Sequence, residues 1–159
     1  MKRKTEMPKK LIYNYLNDDE FLRISNKIRD VEKTTAGELV VSIKEKRKLW
    51  ERTKSLRALA EKEFVSAGIA KTAGATGILI FLVLTSKEFY ILADKKINEK
   101  VEQSVWNTIS KSMGEHFSRG YFCKGILEGI KECGKILSAH FPIAPDDINE
   151  LSNKVRIRK

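Results

Sequence analysis

The apolar positions change period along the chain, and each change marks an element. Phe21, Ile24, Ile28 and Val31 recur at spacings of three, four and three, one face of an amphipathic helix. Asn17 stands where the N-cap belongs and Glu20 three residues on, the arrangement of a capping box. Thr34-Thr35-Ala36-Gly37 ends that helix. From Glu38 to Glu45 the pattern alternates on Leu39, Val41 and Ile43 and predicts a strand. A second helix is predicted from about Trp50 to Ala67, burying Leu49, Thr53, Leu56, Ala60 and Phe64 and stopped by Gly68. Gly77 to Thr85 is continuously apolar at strand length, as in a central strand covered on both faces. A turn at Ser86-Lys87-Glu88 leads to Phe89–Ala93, so these two strands should form a hairpin.

Two helices follow. The first aligns Val101, Val105, Ile109, Met113 and Phe117, and Gly120 breaks it. The second aligns Phe122, Ile126, Ile130, Cys133, Leu137 and Phe141, and Pro142 ends it. The order helix, strand, helix, strand, strand, helix, helix describes an α/β domain, a small mixed sheet with helices packed on it. No internal repeat and no internal domain boundary interrupts it.

Composition narrows the class. With 42% hydrophobic and 33% charged residues in 159, three prolines and nine glycines, the chain matches an ordered soluble domain able to bury a core, not a disordered or collagen-like one. The longest apolar run, Ile78 to Leu84, is seven residues, against roughly 20 for a membrane-spanning helix. The basic start Met1-Lys2-Arg3-Lys4 is followed by no apolar stretch of the kind export requires, so the expected location is the cytoplasm. Cys123 and Cys133 stand ten positions apart in one predicted helix. That separates them by roughly 15 Å, too far to pair.

The net charge of +10 suggests nucleic acid as a partner until it is located. Residues 1–10 and 154–159 each carry +4, which leaves the body, 11–153, at +2. The chain therefore divides into a basic N-terminal arm (1–15), a folded domain (16–142) and a polar, basic C-terminal tail (143–159). No sequence-specific nucleic-acid binding is expected of the body. The tails could touch RNA or anionic lipid.

Most catalytic motifs are missing. Gly129-Ile130-Lys131-Glu132-Cys133-Gly134-Lys135 resembles a phosphate-binding loop but lies mid-helix, with Ile136 where a magnesium-binding hydroxyl belongs. Neither cysteine is followed six residues on by arginine, as a cysteine phosphatase needs, and no zinc-type cysteine spacing occurs. His116 and His140 fall at predicted helix C-termini, where positive charge is stabilised. One constellation remains. If the second helix is a crossover, the starts of the first two strands and the end of the third share one edge of the sheet. That edge gathers Thr34, Thr35, Glu38, Thr72, Thr76 and Asp94. Glu38 and Asp94, with the hydroxyls of Thr35, Thr72 and Thr76 beside them, form an all-oxygen set suited to calcium or magnesium. The competing role for both carboxylates is to cap free amides, and Lys95 and Lys96 would repel a cation.

Thr35-Ala36-Gly37-Glu38-Leu39-Val40-Val41 resembles the Thr-x-Gly-Glu-hydrophobic opening of the TPM domain family, named for thylakoid lumen, photosystem repair and nicotinic-receptor modulator proteins. Lys71-Thr72, Gly77-Ile78-Leu79-Ile80, Ile91-Leu92-Ala93-Asp94, Trp106, Phe117-Ser118-Arg119-Gly120-Tyr121-Phe122, Gly125-Ile126 and His140-Phe141-Pro142 continue the likeness in order, across residues 16–142. The resemblance implies a three-layer α/β/α sandwich, with about three to four strands flanked by about four helices. It also implies a stand-alone soluble, bacterial-type member. Family members are often labelled phosphatases, and some are linked to divalent cations or to membrane-protein maintenance. Ala93 and Lys96 stand where family loops commonly carry glycine, and Thr76 replaces a frequent asparagine. Three functions follow as expectations. The first is a non-catalytic accessory module that binds a protein partner and a divalent cation. The second is a metal-dependent phosphatase, and the third is tail-mediated binding to RNA or anionic membrane.

Overall fold

Helix α1 (Asp18–Glu32) begins on a complete capping box. The Asn17 side chain accepts from the Glu20 N–H at 2.8 Å, and the Glu20 carboxylate accepts from the Asn17 N–H at 3.1 Å. Asn17→Ala should cost about 1 kcal/mol of stability, read as a lower denaturant midpoint at unchanged slope. Its apolar face places Ile24, Ile28 and Val31 in the core, with Phe21 at the margin. This computed structural model describes residues 11–69, 75–143 and 155–158.

The sheet runs, in spatial order, Glu88–Ala93, Gly77–Val83, Glu38–Lys44 and Arg156–Arg158. Strand β1 (Glu38–Lys44) pairs in parallel with β2 (Gly77–Val83), from Glu38 opposite Gly77 to Lys44 opposite Val83. The crossover between them carries α2 (Leu56–Ser66), and β2 turns back antiparallel into β3 (Glu88–Ala93). Every residue of β2, and all of β1 except Lys44, is buried, because both faces are covered. Leu39, Val41, Ile43, Ile78, Ile80 and Leu82 belong to a core shared with α1, α4 (Gln103–Ser118) and α5 (Phe122–His140). Val40, Leu79, Phe81 and Val83 form a second core with Leu59, Ala60 and Phe64 of α2. The result is the expected three-layer α/β/α arrangement, among the described residues a mixed four-stranded sheet with five helices.

Helix α5 runs through the middle of one layer, against both α1 and α4. Glycine inside a helix costs about 1 kcal/mol relative to alanine, so three interior glycines need a packing reason. A Cβ on Gly125 would collide with Phe117, one on Gly129 would stand 2.6 Å from the Met113 sulfur, and one on Gly134 would stand 2.6 Å from a Val31 methyl. The missing side chains let the neighbouring helices close on α5.

Four features depart from the pattern. Helix α2 starts at Leu56, not Trp50, because Ser55 accepts from the Ala58 N–H and caps it. Leu49–Glu51 form a separate 3-10 turn whose Leu49 and Trp50 are exposed, and Thr53 is exposed as well. The buried face of α2 is therefore Leu59, Ala60, Glu63 and Phe64. In α4 the inward residue is Trp106, while Val105 faces solvent. A one-turn helix α3 (Lys95–Asn98) follows β3. Finally, Arg156–Arg158 form β4, parallel to Ser42–Lys44. Three residues, two of them arginine, are too short an alternation to announce a strand. Among the described residues no helix is long and apolar enough to cross a membrane. The basic residues 1–10, together with Lys71-Thr72, lie outside the described residues.

Candidate functional site

The edge where β1 and β2 begin forms as the topology predicts. The Glu38 N–H donates to the Thr76 carbonyl at 3.2 Å, and the Asp94 N–H donates to the Gly77 carbonyl at 2.9 Å. Glu38 and Asp94 thus flank the start of β2 from its two neighbouring strands. Gly37 lets the chain enter β1 closely, since a Cβ there would lie 2.7 Å from Leu137 and 2.9 Å from the Thr76 carbonyl. Glu38 is 4% exposed and Thr76 7%, so this side of the edge is dry.

The hydroxyls are largely committed elsewhere. Thr35 Oγ1 accepts from the Gly37 N–H at 3.0 Å and donates to the carbonyls of Leu137 and Phe141, tying the entry of β1 to the end of α5. Thr34 Oγ1 donates to the Val31 carbonyl at 2.7 Å, closing the end of α1. Asp94 is the N-cap of α3, with Oδ1 accepting from the Lys95 N–H at 2.7 Å. Asn98 was not anticipated because α3 was not. Its side-chain amide donates to the Ala93 carbonyl at 3.0 Å and fixes the turn that carries Asp94. An aspartate followed by a helical turn ending in asparagine was the available signal. Thr72 lies outside the described residues. Among the described residues, no three His, Cys, Asp or Glu side chains cluster as a metal site. Lys95 extends into solvent, 4.0 Å from Glu99.

The remaining titratable candidates are structural. Cys123 and Cys133 are both free and buried on α5. Burial pushes the Cys133 thiol up to about 12, and it raises Cys123 as well, so neither supplies a thiolate nucleophile at neutral pH. His116 and His140 sit in the last turns of α4 and α5. The Gly129–Lys135 stretch is continuous α-helix and forms no phosphate-cradling loop.

Comparison with known proteins agrees with this geometry. A sequence model described as the TPM domain matches residues 13–136. The chain resembles the NMR structure of BA42 protein from the psychrophilic bacterium Bizionia argentinensis at 31% identity and a TM-score of 0.80, covering 90% of this chain and 95% of that one. It also shares its fold with the N-terminal domain of a protein from P. gingivalis, at 17% identity, a TM-score of 0.64 and coverage of 80% and 79%. Among curated proteins, none matches.

Proposed function

Because the chain belongs to the TPM domain family, we propose that it is a non-catalytic accessory module that binds a protein partner in the cytoplasm, tuned by a calcium or magnesium ion at the Glu38–Asp94 edge. The observation that supports this reading is the pair of backbone bonds that bring Glu38 and Asp94 to the start of β2. Asp94 uses Oδ1 to cap α3 and offers its second oxygen. Glu38 brings a carboxylate into a dry edge, where charge attraction is strong. A hard cation takes oxygen ligands of this kind and completes its shell with water. The buried thiols favour an accessory role over thiol-based phosphate chemistry, and two reduced cysteines suit the cytoplasm.

Titration of the protein with calcium or magnesium, followed by two-dimensional amide NMR, tests the site. Saturable shifts should cluster on residues 34–38, 75–77 and 94–98 and vanish in Asp94→Ala. Shifts that are absent, or that persist in the variant, would reduce both carboxylates to caps. A metal-dependent phosphatase at the same edge is the second reading, favoured by Lys95 and Lys96 following Asp94 in the chain, two positive charges that attract a phosphate. Equal phosphate release by wild type and Asp94→Ala would end it.

A further inference from the structure

The opposite edge of the sheet carries an arrangement that the cation reading does not use. Strands β1 and β4 run parallel and end side by side at Lys44 and Arg158. At that end β1 leads into the turn Leu49–Glu51 and then into α2. Open α/β sheets bind ligands outside the carboxyl ends of their parallel strands. A cavity of about 230 Å³ occupies that place, lined among others by Lys44, Lys48, Trp50, Lys62 and Arg158.

The cavity's electrostatics favour an anion. Its two carboxylates, Glu51 and Glu63, are both engaged. Glu51 pairs with Lys44 at 3.2 Å and accepts from the Lys48 N–H at 2.8 Å. Burial alone would raise the Glu51 pKa, but the Lys48 amide and the Lys44 ammonium outweigh it and hold the group below its ordinary value. Glu63 accepts from the Ser42 hydroxyl at 2.9 Å and pairs with Arg156 and Arg158 at 3.4 and 3.5 Å. The carboxylates thereby fix the cations in place before any ligand arrives, and positive charge stays in excess. At the rim, Trp50 is 63% exposed, with the Lys48 ammonium 5.3 Å from its ring centroid. An exposed indole beside a preorganised cationic cavity offers a flat apolar surface next to a phosphate-sized charge.

We propose that this crevice binds a nucleoside phosphate, the phosphate held by Lys44, Lys62 and Arg158 and the base laid against Trp50. Lysine and arginine supply convergent donors to a phosphate, and base–indole stacking tolerates any base because each has a π-face. The site is separate from the Glu38–Asp94 edge, so either can fail alone.

The test is two-dimensional amide NMR of the full chain with adenosine monophosphate, adenosine and inorganic phosphate as separate probes, plus phosphatidylglycerol vesicles. The nucleotide should shift residues 44–51, 62–66 and 156–158 together with the Trp50 indole, and should bind more tightly than inorganic phosphate or adenosine. Lys62→Glu should weaken it by about tenfold or more. Trp50→Ala should reduce it to the affinity of inorganic phosphate. Both positions are exposed, so the fold survives, and an unchanged spectrum away from the crevice verifies that. Shifts confined to other residues, equal binding by Lys62→Glu, or binding of the vesicles but not the soluble phosphates would overturn the proposal.

Discussion

Gly134→Val is expected to destabilise the protein by about 3 kcal/mol, read as the drop in denaturant midpoint multiplied by the slope. The new Cβ would lie 2.6 and 3.0 Å from the two Val31 methyls and 3.4 Å from the Val31 Cβ. Val31 is β-branched and sits in the last turns of α1, where one χ1 rotamer dominates, so it cannot swing aside. The strain must instead part α5 from α1, and the contacts of α5 with α4 and β1 resist that movement. The helix propensity regained on losing a glycine is under about 1 kcal/mol and does not offset the clash. A change below about 0.5 kcal/mol, the range typical of uncrowded surface positions, would mean that the two helices are not in contact there.

Thr35→Val should cost about 2 kcal/mol. The substitution keeps the branching of the side chain and replaces the hydroxyl with a methyl, which must draw back from the two carbonyls. What is lost is the acceptor for the Gly37 N–H in a buried corner, together with the bonds to the end of α5. The Phe141 carbonyl keeps the Ala36 N–H and the Leu137 carbonyl keeps the Phe141 N–H, so the Gly37 amide carries most of the penalty. Thr35→Ser retains the hydroxyl and should lose less than half as much. Amide exchange at Gly37 separates the cases: it should accelerate in the valine variant and stay slow in the serine one. Slow exchange in both would show that the hydroxyl is not what protects this corner.

Much of the architecture was legible because burial and period agree. Ile24, Ile28 and Val31 on α1, the continuous apolar run of β2, and Ile126, Ile130, Cys133 and Leu137 on α5 all sit where their spacing places them. The pattern misled where a polar residue decided the outcome. Leu49, Thr53, Leu56 and Ala60 share a helical spacing, yet Ser55 starts the helix late and leaves Leu49 and Trp50 outside. Strand β4 was illegible because it is only three residues long, docked by two arginines on a buried glutamate as well as by Ile157 on the core. One clue was available: Glu63 falls between Ala60 and Phe64 on the apolar side of α2, and an acid there requires a cation from elsewhere. The same holds for the two edges of the sheet. Topology alone gathers Glu38, Thr76 and Asp94, whereas the crevice draws its cations from β1, the following turn, α2 and β4. No local motif unites those four pieces. Within the Thr-x-Gly-Glu stretch, Thr35 and Gly37 prove to be structural, one as a hydrogen-bonding knot and the other as a close approach.

The shortness of β4 has a bearing on how this chain avoids its own copies. Three residues pair with Ser42–Lys44, across a separation of more than a hundred positions, and two ion pairs to the buried Glu63 anchor them. So small a unit opens far more often than the whole domain unfolds. Each opening uncovers backbone amides and carbonyls along the second half of an otherwise apolar strand, the template on which sheets of different molecules join. Pairing with β4 covers that half of the strand, and Glu63 holds the cover in place through its two arginine contacts.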